Sequence, residues 1–218
     1  MLNPYVVIDM GIVIGLIVLS ILALLHGGHR QVKNQLFVLF TVFVAIWIPA
    51  NHTGNDIATP PDVAVIANYF VFSCSFGAMI VMLLFVSRLS GSRKILRFTH
   101  FLLPVLIAIG VLAATPLVGA DVELQDNIYG VVFGPLLPVY GAALLFMIAS
   151  AFAIIGIGLR QTKGLAHNQL QVIAVSLGVS LPLVVTLSFI IPSVTGLFAF
   201  TEFGVSPLLL LVAGLYDS

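Results

Sequence analysis

Apolar residues run through this chain in long unbroken blocks, and polar residues collect in the gaps between them. The pattern is neither strand alternation nor the one-sided stripe of a surface helix; it is continuous hydrophobicity, repeated. From Val131 to Leu159 no charged residue occurs. At about 1.5 Å per helical residue, that run is more than long enough for a hydrocarbon core of about 30 Å. Asp121, Glu123 and Asp126 stand before it, and Arg160 and Lys163 after it. The blocks together predict seven helices, at about 5–26, 36–50, 63–87, 100–118, 131–159, 169–191 and 198–216. Helices are required because lipid offers the backbone no hydrogen-bond partners, and no alternating pattern of barrel strands is present. Pro135, Pro138 and Pro182 are expected to kink spans rather than end them. The stretch from Asn51 to Asp62, with Gly54, Pro60 and Pro61, is expected to be a turn-rich loop.

Composition agrees. The 218 residues are 61% hydrophobic and 7% charged, with mean hydropathy +1.22. A soluble domain carries about 25% charged residues, so a membrane domain is the class that remains. The loops are too short to hold a folded domain, and no internal repeat stands out, so residues 1–218 read as one seven-transmembrane domain. The net charge of zero removes the basic footprint of a nucleic-acid binder. The single cysteine, Cys74, allows no intrachain disulfide. No basic residue precedes the first block, which reads as a span and not a cleavable signal peptide.

Charge sets the expected orientation. Every Lys and Arg falls in one of three loops: Arg30 and Lys33; Arg88, Arg93, Lys94 and Arg97; Arg160 and Lys163. These follow helices one, three and five. The opposite loops hold Asp56, Asp62, Asp121, Glu123 and Asp126 and no basic residue. The positive-inside rule then puts the N-terminus outside and the C-terminus in the cytoplasm. The fold class expected is an all-α membrane protein, a seven-transmembrane helix bundle in a bacterial inner membrane. Helix seven stops at Tyr216-Asp217-Ser218 without a basic anchor. It is expected to continue as a signalling helix into a cytoplasmic output domain absent from this chain.

The chemistry on offer is sparse. Five histidines raise a metal or haem reading, yet His26, His29, His100 and His167 fall at cytoplasmic helix ends and His52 outside. Metal sites need ligands that converge, so no metal and no cofactor is expected. Retinal needs a lysine at membrane depth, and Lys33, Lys94 and Lys163 are all in loops. Intramembrane catalysis needs paired carboxylates or a serine with a base. Asp9 and Glu202 are the only acids in or near the spans and both sit near outer ends, so no catalytic residue is assigned. A small solute transporter is the alternative function, but no intramembrane charge relay supports it.

Polar groups inside the outer halves of the helices are the better candidates. Trp47 and Asn51 lie at the outer end of helix two, Asn68 and Tyr69 in the outer third of helix three. Tyr140 lies near the middle of helix five, Thr186 and Ser188 in the outer half of helix six, and Glu202 at the start of helix seven. Polar side chains at that depth are functional candidates by default, while Ser, Thr and Asn also serve as helix-to-helix glue. The proposed ligand-binding set is Glu202, Asn68, Tyr69, Tyr140, Thr186 and Trp47, with Glu202 foremost.

Several local patterns carry a resemblance. Asn34-Gln35-Leu36-Phe37 leads into the helix with Trp47. Phe85-Val86-Ser87-Arg88 ends helix three. Ile128-Tyr129-Gly130-Val131-Val132-Phe133-Gly134-Pro135 precedes Tyr140-Gly141. The run Arg160 to Gln171 leads into helix six, which ends at Ile191-Pro192, and helix seven holds Phe203-Gly204-Val205-Ser206-Pro207. In this order and spacing the chain resembles the N-terminal seven-transmembrane sensor region of bacterial histidine kinases. The resemblance implies a sensory input domain and a homodimer when fused to its output domain. The resemblance does not identify a ligand; the partners expected are membrane lipid and an unidentified small-molecule or lipid stimulus. No kinase activity is implied for this chain, and none of its histidines is a phosphoacceptor.

Overall fold

A computed structural model describes residues 4–27, 32–125 and 128–185. The expected seventh helix at 198–216, with Glu202, and Thr186 at the end of helix six, lie outside the described residues. In chain order come α1 (Pro4–Gly27), α2 (Val32–Asn55), α3 (Pro61–Leu89), α4 (Arg93–Leu112), β1 (Gly119–Gln125), β2 (Ile128–Phe133), α5 (Leu137–Gln161) and α6 (Leu165–Val185). Among these, α2, α3, α4 and α5 are long and apolar enough to cross a membrane.

The centre of the bundle is α3. It packs against α2, α4, α5, α6 and β1, whereas α1, among the described residues, packs chiefly on α2. Of the most apolar stretch of α3, 56% is buried inside the protein, against 11% for α4. The core follows its length, from Phe76 through Met82 and Leu83 to Val86, all with at most 1% exposure. α4 touches this core along a narrow seam: Thr99 and Leu106 are its buried positions, and Ala113, seven residues further on, is buried just past its end. Small residues let the helices approach. A methyl on Gly77 would lie 2.6 Å from the Phe43 ring of α2, and one on Gly158 would lie 2.7 Å from Leu170 of α6. Such close contact replaces the hydrophobic drive that lipid does not supply.

Helix ends depart from the hydropathy pattern in instructive ways. α2 begins at Val32 and runs to Asn55, through stretches expected to be loop. Hydropathy marks where lipid-like sequence ends, not where i to i−4 hydrogen bonding ends, so polar Lys33, Asn34 and Asn51 continue the helix. α4 starts at Arg93 because the Ser92 hydroxyl accepts from the Ile95 amide at 3.5 Å, capping the first turn. It stops at Leu112, short of the expected 118, where Pro116 would crowd the carbonyl four residues back.

The largest correction is between α4 and α5. An all-helical chain with an acidic loop was expected; the structure has a two-stranded antiparallel hairpin. Asp121-Val122-Glu123-Leu124 alternates polar and apolar, a strand period too short to stand out beside the long apolar blocks. Val122 pairs with Val131 and Glu123 with Gly130, so residues 131–133 belong to a strand rather than to helix five. The hairpin base is tied by Gly134 N–H to Val118 O at 2.8 Å and Leu136 N–H to Leu117 O at 2.7 Å. Consequently Pro135 precedes α5 and Pro138 sits in its first turn. Neither kinks the helix, because proline is favoured where the missing N–H has no intrahelical partner. Pro182 does lie within α6.

Candidate functional site

The half of α3 nearer the hairpin gathers aromatic and hydroxyl groups from three directions. Tyr140 is the fourth residue of α5, near its N-terminal end and not its middle. Its ring is buried between two α3 phenylalanines. Phe72 meets it edge-on at 5.6 Å between centroids, and Phe76 lies tilted at 5.3 Å. The phenol oxygen is 2.8 Å from Ser75 Oγ, and the hydroxyl also reaches Phe72 O at 3.2 Å. Each phenylalanine extends the cluster. A methyl on Gly119 of β1 would stand 2.8 Å from the Phe72 ring, and one on Gly110 of α4 would stand 3.3 Å from Phe76. The hairpin, α4, α3 and α5 therefore meet around one tyrosine.

Three hydroxyl pairs fasten the bundle. Ser75 with Tyr140 joins α3 to α5; Ser87 with Thr99 joins α3 to α4 at 2.8 Å; Ser20 with Thr41 joins α1 to α2. The hydroxyls of Ser20, Ser87, Thr41 and Thr99 each also lie within hydrogen-bond reach of a carbonyl on their own helix, so in each of these two pairs one hydroxyl donates across to its partner and the partner donates back to its own helix. Where the start of α1 meets the end of α2, Asp9 Oδ2 lies 3.9 Å from His52 Nδ1.

The other expected site residues fall in different places. Asn68 is buried, its amide donating to Ala64 O at 3.0 Å, and its side chain fills the space left by Gly54. It is therefore placed as an α2–α3 packing group. Tyr69 is half-buried, and its carbonyl accepts from Ser73 Oγ at 2.6 Å. Trp47 packs on the core from α2, and its buried indole N–H has no hydrogen-bond partner among the described residues. Thr186 and Glu202 lie outside the described residues. Among the described residues no group of three His, Cys, Asp or Glu side chains could hold a metal.

A bundle of apolar helices tied by a few buried hydroxyl pairs fits many membrane proteins. The family described as the N-terminal 7TM region of histidine kinase matches residues 10–217, nearly the whole chain. The chain belongs to that family. No curated protein and no solved structure matches it. As a histidine kinase 7TM region it is a membrane sensory input domain.

Within this sensory region the residues missed by sequence reasoning are Phe72, Ser75 and Phe76. Their signal was present in Phe70-Val71-Phe72-Ser73-Cys74-Ser75-Phe76, where aromatic and hydroxyl residues interleave inside an apolar run. Which of the two serines reaches Tyr140 depends on how α5 is placed against α3.

Proposed function

We propose that this 7TM region is the stimulus-receiving part of a bacterial histidine kinase. Its N-terminus lies outside and helix seven carries the signal to a cytoplasmic module. Family membership over residues 10–217 is the observation that carries this reading. The orientation is supported by the distribution of charge: the described acids Asp9, Asp56, Asp62, Asp121 and Glu123 fall at the end of the bundle with the hairpin, and the cations at the other.

The stimulus enters from the outer side in this reading, as a small molecule or lipid, and favours one packing of the bundle over another. The cluster around Tyr140 is the element such a ligand would bias. Trp47 supports a ligand contact, because a buried donor without a partner costs about 1–3 kcal/mol, a penalty that a bound acceptor would remove. Glu202 and Thr186 remain candidate contacts from helices six and seven, with Asn68 and Tyr69 supporting the same half. The kinase is proposed to act as a homodimer.

The test is a fusion of residues 1–218 to a kinase output module with a transcriptional reporter. Tyr140→Phe and Trp47→Phe should each shift the activation midpoint or the basal activity by at least threefold, at unchanged membrane abundance. Unchanged curves for both, together with wild-type abundance, would remove this cluster from the signalling path.

A further inference from the structure

The fold brings two of the three basic loops to one place. The α3–α4 turn, residues 90–92, and the α5–α6 turn, residues 162–164, are both tight. Each uses a glycine in the left-handed region, Gly91 at φ 68° and Gly164 at φ 66°. Gly158 of α5 packs against Ser90, within 3.4 Å of where a methyl would stand. Arg88, Arg93, Lys94, Arg97, Arg160 and Lys163 therefore collect at one end of the bundle, and all six are exposed. Among the described residues no carboxylate lies at that end.

Cations alone at a membrane surface need no ligand beyond the general field of the leaflet. Here they continue into a stripe of a second kind. On α4, Lys94 and Arg97 are followed on the same face by Phe98, Phe101, Val105 and Leu112, with exposures of 54%, 80%, 60% and 38%. From Arg97 to Leu112 a helix rises about 22 Å, more than the roughly 15 Å depth of one leaflet's hydrocarbon. The buried seam at Thr99, Leu106 and Ala113 faces the other way, so nothing among the described residues covers this stripe. The order along it, charge first and then apolar surface at acyl depth, is the profile of a phospholipid.

We propose that the α4 stripe and the joined basic turns form a binding site for an anionic phospholipid. The headgroup phosphate sits among Arg93, Lys94, Arg97 and the Arg160–Lys163 turn, and an acyl chain lies along Phe101 and Val105. Assignment to the cytoplasmic leaflet rests on the orientation proposed above; the lipid preference does not. An acidic cytoplasmic protein would satisfy the cations but would leave the apolar half of the stripe unused.

The experiment uses the full 218-residue chain in detergent micelles. It is titrated with phosphatidylglycerol or phosphatidylcholine, and retained lipid is counted by native mass spectrometry. Phosphatidylglycerol should bind at least tenfold more tightly. The triple variant Arg93→Gln, Lys94→Gln, Arg97→Gln should lose at least tenfold, as expected when each surface cation contributes measurably to anionic-lipid attachment. Arg93→Lys with Arg97→Lys, and Lys33→Gln at the α1–α2 end, should keep the preference. Should the triple variant fail to fold by circular dichroism, Arg160→Gln with Lys163→Gln decides: a fivefold loss supports the site, unchanged affinity overturns it. Equal affinity for the two lipids overturns it, as does a folded triple variant that keeps its phosphatidylglycerol preference. Failure here leaves the sensor reading intact, because sidedness and signalling are measured separately.

Discussion

Tyr140 shows what one hydroxyl can do in an apolar bundle. Its oxygen reaches two groups of α3, and its ring separates Phe72 from Phe76. Tyr140→Phe keeps the ring and removes the hydroxyl, leaving Ser75 only its bond to Phe72 O. The expected cost is about 1 kcal/mol, since interhelical hydrogen bonds in membranes contribute about 0.6 kcal/mol on average. A double-mutant cycle with Ser75→Ala, read by unfolding in bilayers, should give a positive coupling below about 2 kcal/mol; additivity would mean the bond contributes nothing. Glycine substitutions should separate by what the new methyl meets. Gly77→Ala meets a phenylalanine ring that can shift, so a cost of about 1–3 kcal/mol is expected, with partial rescue by Phe43→Leu. Gly134→Ala meets the carbonyl oxygens of Pro116 and Leu117 more closely still, and backbone cannot yield as a side chain does. It should cost more than Gly77→Ala, and no side-chain change nearby should rescue it.

At the scale of elements, the helices differ in how firmly they are held. α3 is enclosed on most sides, while α1 rests chiefly on α2. The polar ties of α1 to its neighbour include Ser20 with Thr41 and Asp9 with His52. Ser20→Ala with Thr41→Val should therefore loosen α1 alone. Hydrogen exchange in α1 should rise by about threefold or more while that of α3 stays constant; equal rises in both would mean that α1 and α3 open as one unit. The hairpin is held differently. Its base hydrogen-bonds back to Val118 and Leu117, and Gly119 packs on Phe72. Displacement of the hairpin therefore reaches Tyr140 through a single ring. Hydropathy made the helices legible because each span must be apolar for about 20 residues. It could not reveal a hairpin of seven- and six-residue strands, whose signal is a short alternation beside much stronger blocks.

For the whole molecule, the proposed sidedness is a direct prediction. Cys74 is buried, so single cysteines can be added at exposed positions with little background. Ala58→Cys should react with a membrane-impermeant maleimide in intact cells, and Lys163→Cys should react only after lysis. The reverse result would invert the receptor reading. The class of protein, its helical spans and the segregation of charge were set by sequence alone. Lipid admits few backbone arrangements, and insertion responds to local composition. Which polar residues meet was decided only by tertiary structure. Ser75 and Ser73 are alike along the chain, and the position of α5 selects the one that bonds Tyr140. Asp9 and His52 sit far apart in sequence and become neighbours because α1 and α2 fold back on each other. The two basic turns likewise become one surface through the packing of Gly158 on Ser90, a contact between residues that no local pattern relates.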